Sequence, residues 1–338
     1  MKRWLVLLVA CAACDTMEHR PPASAWSFGP ALPRLAAAAG ETIFGQRVVV
    51  AGGFVTGADG GFATTAEVDV YDLSDDKWRR LPDAPAAWSF VNVGAIADTL
   101  YIVGGLEGAP GAYVAHGEAY RLDAATNRWL GIHPLDAADA RGASGVLATP
   151  GHLFVLGGAS ATGSVASCLR YDIATDRWTH IPDLPEPLAY PAVMQTSDGR
   201  LIVAGGLTGG VADPAASPVS DRVYSLQIAD ANDGATWQVR APVLSPDDPA
   251  PRAGCAFGTL LGTLICAGGA GGAQAHTAAA SYDPSLNRWT AREPMPFARA
   301  AAPGAATGGR LFIPGGSLSA GLDPTNSFLI YTPLDTAR

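Results

Sequence analysis

Arginine is the reactive residue type that recurs at a fixed place in this chain. Arg141, Arg252 and Arg299 each stand sixteen residues before the first glycine of a Gly-Gly pair. The same count from the other pairs reaches Ala36 (with Arg34 two residues earlier), Trp88, and Ala189 beside Tyr190. If the repeats are equivalent in space, Arg34, Trp88, Arg141, Tyr190, Arg252 and Arg299 line one mouth of a shared opening. Guanidinium forks bind carboxylates bidentately, so such a ring suits an anionic ligand or an acidic peptide. The competing reading is structural, with the guanidinium groups donating to backbone carbonyls or acidic loop residues.

Other chemistry is weakly supported. The histidines at 19, 116, 133, 152, 180 and 276 are scattered without zinc-ligand spacing. There is no Walker loop, and the Gly-rich stretch at Gly268 follows an apolar run without opening a helix, so it is no dinucleotide fingerprint. No serine stands in a G-x-S-x-G elbow. The reading is therefore of no catalytic residue, no metal site and no cofactor. A net charge of −9 disfavours nucleic acid as a partner, because sequence-independent binding runs on Lys and Arg contacts to phosphates.

The elements that would position the arginines come from a repeat. An apolar run ending in Gly-Gly occurs six times, as VVVAGG, YIVGG, LFVLGG, LIVAGG, LICAGG and LFIPGG. The first glycines are Gly52, Gly104, Gly157, Gly205, Gly268 and Gly315, at spacings of 52, 53, 48, 63 and 47. Short runs rich in Val, Ile, Leu and Phe are what a strand buried on both faces requires. A tyrosine and then a tryptophan follow: Tyr71 and Trp78, Tyr120 and Trp129, Tyr171 and Trp178, Tyr224 and Trp237, Tyr282 and Trp289. High glycine and proline, at 40 and 26 residues without a collagen period, point to many turns between short strands.

Two glycines, a spaced tyrosine and a spaced tryptophan at this period resemble the kelch repeat over roughly Ser24 to Thr332. The resemblance implies an all-β, six-bladed β-propeller of four-stranded antiparallel blades, strands a to d running outward from the channel. Gly-Gly then ends strand b, the tyrosine sits on c and the tryptophan on d, as packing between blades. Tyr331 has no tryptophan after it and Trp26 no tyrosine before it, so the N-terminal strand is expected to complete the sixth blade. Pro314 is tolerable only at a strand end. The b–c and d–a loops share one face, and they carry Asp59, Glu107, Tyr113, His116, Asp213, Asp221 and His276.

The N-terminus reads as an export signal. Met1-Lys2-Arg3 is basic and Trp4 to Ala10 is apolar, too short to span a membrane, which takes about 20 residues. Leu8-Val9-Ala10-Cys11 resembles the bacterial lipobox, with Cys14 as a second candidate for acylation. The expected organisation is a signal at 1–14, a linker at 15–23 and the propeller at 24–338. Cys11 and Cys14 form a C-x-x-C, but an export signal offers no folded setting for redox or metal chemistry. Cys255 and Cys266 fall diagonally on strands a and b of blade five and are expected to be buried free thiols.

The functional expectation is a monomeric, non-enzymatic binding scaffold of the cell envelope. It would be a periplasmic or outer-membrane lipoprotein, tethered to the membrane by its N-terminal lipid. Its partner would be a protein, a peptide or an anionic glycan, met on the face of the b–c and d–a loops. The alternative, from likeness to a periplasmic kelch group, is a sialic-acid-like sugar-acid mutarotase or epimerase. That reading requires an acid or base within hydrogen-bond reach of Arg141, Arg252 or Arg299.

Overall fold

Six four-stranded antiparallel sheets follow one another along the chain. The structure is a computed structural model and describes residues 24–56, 61–230, 235–243 and 252–334. The signal and both candidate lipidation cysteines lie outside the described residues. Blade one is Gly40–Phe44, Arg47–Ala51, Val68–Asp72 and Lys77–Arg80 as strands a to d. Strands a of the next four blades are Asn92–Ile96, Gly145–Thr149, Ala192–Gln195 and Ala256–Leu260. Blade six takes strands a to c from Ala305–Thr307, Arg310–Pro314 and Phe328–Tyr331.

Its strand d is Trp26–Phe28, which pairs Trp26 with Tyr331 and Phe28 with Leu329. The N-terminal strand thus closes the ring, as the unpaired aromatics required. Pro314 ends its strand opposite Phe328. Strands a and b meet mostly through two-residue turns, such as Gly45-Gln46 and Leu261-Gly262, whose left-handed first residues match the twist of a tight hairpin.

The repeated residues have physical tasks. The indole N–H of each of the six strand-d tryptophans donates to a carbonyl in the segment after strand d of the preceding blade. Trp78 reaches Pro30, Trp129 Pro82, Trp178 His133, Trp237 Pro182, Trp289 Ala241, and Trp26 Glu293. The N-terminal tryptophan is therefore in phase with the other five. Tyrosine and tryptophan rings also pack against each other at a tilt within a blade, 4.9 Å apart for Tyr171 and Trp178, 4.8 Å for Trp26 and Tyr331.

The first glycine of each pair has φ between 59° and 71°, and a Cβ there would strike the next blade's backbone. At Gly52 it would lie 2.5 Å from the Trp88 carbonyl, and at Gly205 2.7 Å from that of Arg252. The repeat spacing needs glycine because blades touch backbone to backbone there.

One expectation fails inside the wall. Cys255 and Cys266 form a disulfide, with 5.6 Å between their Cα atoms. The register is the expected one, Phe257 opposite Cys266. The strand twist brings this diagonal pair within bridging range, which a flat ladder would not. Cys168 is a free, buried cysteine whose thiol burial pushes up to about 12.

Candidate functional site

The arginines sit where the repeat puts them, but they point into the blades. Arg141, Arg252 and Arg299 are among the largest fully buried side chains. Arg141 donates to the carbonyls of Gly157 and Ser167, and its other end pairs with Asp139 at 2.6 Å. Arg252 donates to the Ala278 carbonyl at 2.7 Å. Arg299 donates to the Gly315 carbonyl and the Ser327 hydroxyl. Burial holds the Arg299 guanidinium down to about 10, still charged at neutral pH.

Arg34 reaches the same place in blade one from two residues further back. It donates to the Gly52 carbonyl at 2.9 Å and binds Asp69 at 2.8 Å. Arg34, Arg141 and Arg299 therefore brace the end of strand b against the start of strand c, and Arg252 bonds to the residue before its own strand c. The expected cluster of guanidinium groups at the mouth is corrected on this point: burial turns them away from the axis and bonds them to carbonyls.

Blades two and four lack the brace. Trp88 is buried instead, its ring stacked 5.1 Å from His116 at 22°. In blade four the a–b turn has one extra residue, so the equivalent position is Leu188 and not Ala189 or Tyr190. Tyr190 falls two positions later and belongs to a different ring, which sequence reasoning missed.

That ring closes the channel. Ala38, Phe90, Ala143, Tyr190, Gly254 and Ala301 occupy equivalent places just before strand a, all left-handed with φ between 51° and 62°. The N–H of each donates to the carbonyl of its counterpart in the preceding blade. Going around, the lengths are 2.9 Å (Ala38 to Ala301), 2.6 Å (Phe90 to Ala38), 2.8 Å (Ala143 to Phe90), 2.7 Å (Tyr190 to Ala143), 3.2 Å (Gly254 to Tyr190) and 3.1 Å (Ala301 to Gly254). Left-handed backbone costs an L-residue about 1–2 kcal/mol; the closed cycle of hydrogen bonds holds it there. The Phe90 and Tyr190 rings, 5.3 Å apart, fill the aperture.

The two sides of this iris differ. Outside it, the b–c and d–a loops build an apolar platform. Phe90 packs against Phe54 and Tyr113 at 5.7 and 5.5 Å, and Phe54 against Phe62 at 5.8 Å. Leu35, Phe62, Val114 and Leu318 project from loops of blades six, one and two, between 39% and 56% exposed. Of the polar loop residues, Glu107 and His116 pair at 2.8 Å and Asp213 caps its own turn through Ala216.

Inside the iris is a cavity of about 280 Å³, walled by strands a. Residues of strand a near the iris are buried, and those near the a–b turns are half-exposed, so the cavity opens at the turn face. Glu41, 8% exposed, is the titratable side chain lining it. Its Oε2 accepts from the Gly304 N–H at 2.7 Å. Burial raises its carboxyl well above the usual range, against lowering contributions from the Gly304 hydrogen bond, Arg299 and Arg34. The only hint of it in the sequence is a charged residue eleven before a Gly-Gly, where other repeats carry Val93, Val146, Phe257 and Gly304.

Among the described residues no group of three or more His, Cys, Asp or Glu side chains is placed to hold a metal ion. No helix of the described residues is long and apolar enough to cross a membrane.

Fold and site together define a β-propeller of six blades, sealed at one mouth and closed by its own N-terminal strand. The model of the KLHDC2/KLHL20/DRC7 Kelch-repeats domain matches residues 91–316, and the chain belongs to the kelch-repeat family. The Kelch-like protein terF of Aspergillus terreus is 26% identical over 97% of this chain and 72% of its own length. Beta-scruin of Limulus polyphemus is 25% identical over 72% of this chain and 26% of its own. The human Kelch repeat and BTB domain-containing protein 13 is 33% identical over 39% of this chain and 28% of its own. The solved structure of YjhT superposes with a TM-score of 0.74 at 18% identity, over 92% of this chain and 98% of that one. That likeness is one of fold.

Proposed function

We propose that the protein is a binding scaffold of the cell envelope, engaging a partner protein or peptide through the platform outside the iris. Kelch propellers commonly serve as protein-interaction scaffolds. The observation that carries the reading here is the arc of Leu35, Phe62, Val114 and Leu318. These exposed apolar side chains come from neighbouring blades and stand beside a packed aromatic floor. Apolar anchors rimmed by polar loops are what a protein interface offers.

Placement in the envelope rests on the basic and apolar N-terminus, with Cys11 or Cys14 as lipid attachment point. The disulfide of Cys255 and Cys266 suits the oxidising compartment that export would reach.

The mutarotase reading needed an acid or base facing an arginine across the mouth. The carboxylates on these arginines, Asp139 on Arg141 and Asp69 on Arg34, sit inside the braces themselves. No observation favours it over the scaffold.

Photo-crosslinking residues placed at Phe62 and Val114 should trap one discrete partner in the native envelope, and a residue at Leu261 on the opposite face should not. Phe62→Asp with Val114→Asp should abolish the adduct trapped from a residue at Leu318 without lowering the melting temperature. Equal trapping from both faces would refute the platform.

A further inference from the structure

We propose that the cavity beneath the iris is a binding site for a small organic ammonium ion, admitted through the a–b turn mouth and held by Glu41. The proposal concerns the opposite side of the iris from the platform and does not depend on the scaffold reading.

The first support is the shape of the space. The iris makes the channel a cup, sealed by the six hydrogen-bonded backbone residues and by Phe90 and Tyr190. Its volume is about 280 Å³. A cavity of about 150 Å³ accommodates benzene, so a ligand the size of a substituted ring or a short amine fits. The walls are Val, Ala, Gly, Ile and Phe side chains with the hydroxyl-bearing Thr42, Ser144 and Thr259. Polar and apolar surface face the cavity in nearly equal measure, which suits a ligand with a charged head and an apolar body.

The second support is the break in pseudo-symmetry at Glu41. Counting by register from strand b, its counterparts are Val93, Val146, Val193, Phe257 and Gly304. Five blades are built without a carboxylate there, so the wall does not need one. A buried carboxylate without a cation is costly and is retained where it has a task.

The third support is the incomplete pairing of that carboxylate. One oxygen accepts the Gly304 N–H. Arg299 and Arg34 act on Glu41 through space, but neither makes an ion pair with it; their guanidinium groups are spent on carbonyls, Ser327 and Asp69. Tyr190, from blade four, feels the charge of Glu41, and its buried hydroxyl makes no hydrogen bond. An ammonium group bonded to Glu41 would supply the missing cation, with the hydroxyl of Ser144 on the cavity wall to accept from it.

The electrostatics give a signature. Burial raises the Glu41 carboxyl above the ordinary carboxylate range, so it takes up a proton at a higher pH than an exposed glutamate would. An ammonium ion requires the carboxylate, so binding releases that proton and tightens as pH rises through the elevated pKa of the free protein.

Benzylammonium is the probe, with benzyl alcohol and benzoate as its neutral and anionic isosteres, titrated calorimetrically into the whole mature protein at several pH values. Benzylammonium should bind with proton release and more tightly at higher pH, while the isosteres bind far more weakly. Glu41→Gln keeps an acceptor for Gly304 and should fold, yet lose roughly thirtyfold or more in affinity, the loss of a desolvated charge contact. If that variant does not fold, the isostere comparison and the pH dependence on the wild-type protein decide alone. Phe62→Asp should leave benzylammonium binding unchanged, which separates this site from the platform. Equal binding of benzylammonium and benzyl alcohol, affinity independent of pH, unchanged affinity in the Gln variant, or no binding at millimolar probe would each overturn the proposal.

Discussion

The two mouths of the channel are made by the same six innermost strands, yet one is sealed and the other open. At the sealed mouth the chain enters strand a through a left-handed residue in every blade, and the backbones lean inward until they bond to one another. At the open mouth tight turns such as Gly45-Gln46 hold neighbouring strands a apart, and no bonded ring forms among the described residues. The sealed mouth also receives the long, dissimilar b–c loops, whereas the open one is a wall of strands a in which Glu41 stands where the other blades carry Val93, Val146, Val193, Phe257 and Gly304. Variation outside the iris therefore reads as recognition of a large partner. The charged departure inside it is a single residue, Glu41, with room beside it.

The comparison depends first on the ring being closed. Removing residues through Pro33 takes away strand d of blade six, the Trp26 indole bond and the pairing with Tyr331. The expected result is loss of the cooperative transition and association through the exposed edge of Phe328–Tyr331. Circular dichroism melts and light scattering measure this. A monomer melting like the full chain would show that the latch is dispensable.

A smaller effect separates arginines at the two ends. Arg299→Ala removes a buried cation bonded to a carbonyl and a hydroxyl beneath the sealed mouth, and should cost about 3 kcal/mol or more in denaturant titrations. Arg47→Ala, at an exposed a–b turn with Asp72 3.4 Å away, should change stability by about 0.5 kcal/mol or less. Similar losses at both positions would mean that the buried braces contribute no more than a surface pair.

The smallest expected effect concerns the iris itself. Ala143→Gly relieves left-handed strain in the folded state but loosens the unfolded chain, so the two contributions nearly cancel, within about 1 kcal/mol. A loss well beyond that would show that the Ala143 methyl, packed with Phe90 and Leu106, matters more than its backbone.

Much of the fold was legible because the repeat is a local pattern. Gly-Gly, tyrosine and tryptophan recur in phase, and each has a task that recurs with it: a backbone contact, a ring packed on its neighbour, an indole hydrogen bond. The unpaired Trp26 and Tyr331 even told which strand closes the ring. The arginine position was legible too, but not the direction of the side chain. A residue at the start of strand a can face the axis or the blade, and the carbonyls of Gly157, Ser167, Gly315 and Ala278 that draw it inward come from other strands.

Sequence by itself determined blade number, the closing strand and the family, because these follow from spacing along one chain, and the family resemblance implied the strand order. Only the tertiary structure decided what the six equivalent positions do when they meet. The iris is a cycle of hydrogen bonds between residues far apart in the chain, and no one residue type marks its members: three alanines, a phenylalanine, a tyrosine and a glycine. Backbone bonding leaves no mark in side-chain identity. The disulfide depended on a strand twist, and Glu41 on which blade faces it across the seam. Those are distances set by packing, and no count of residues contains them.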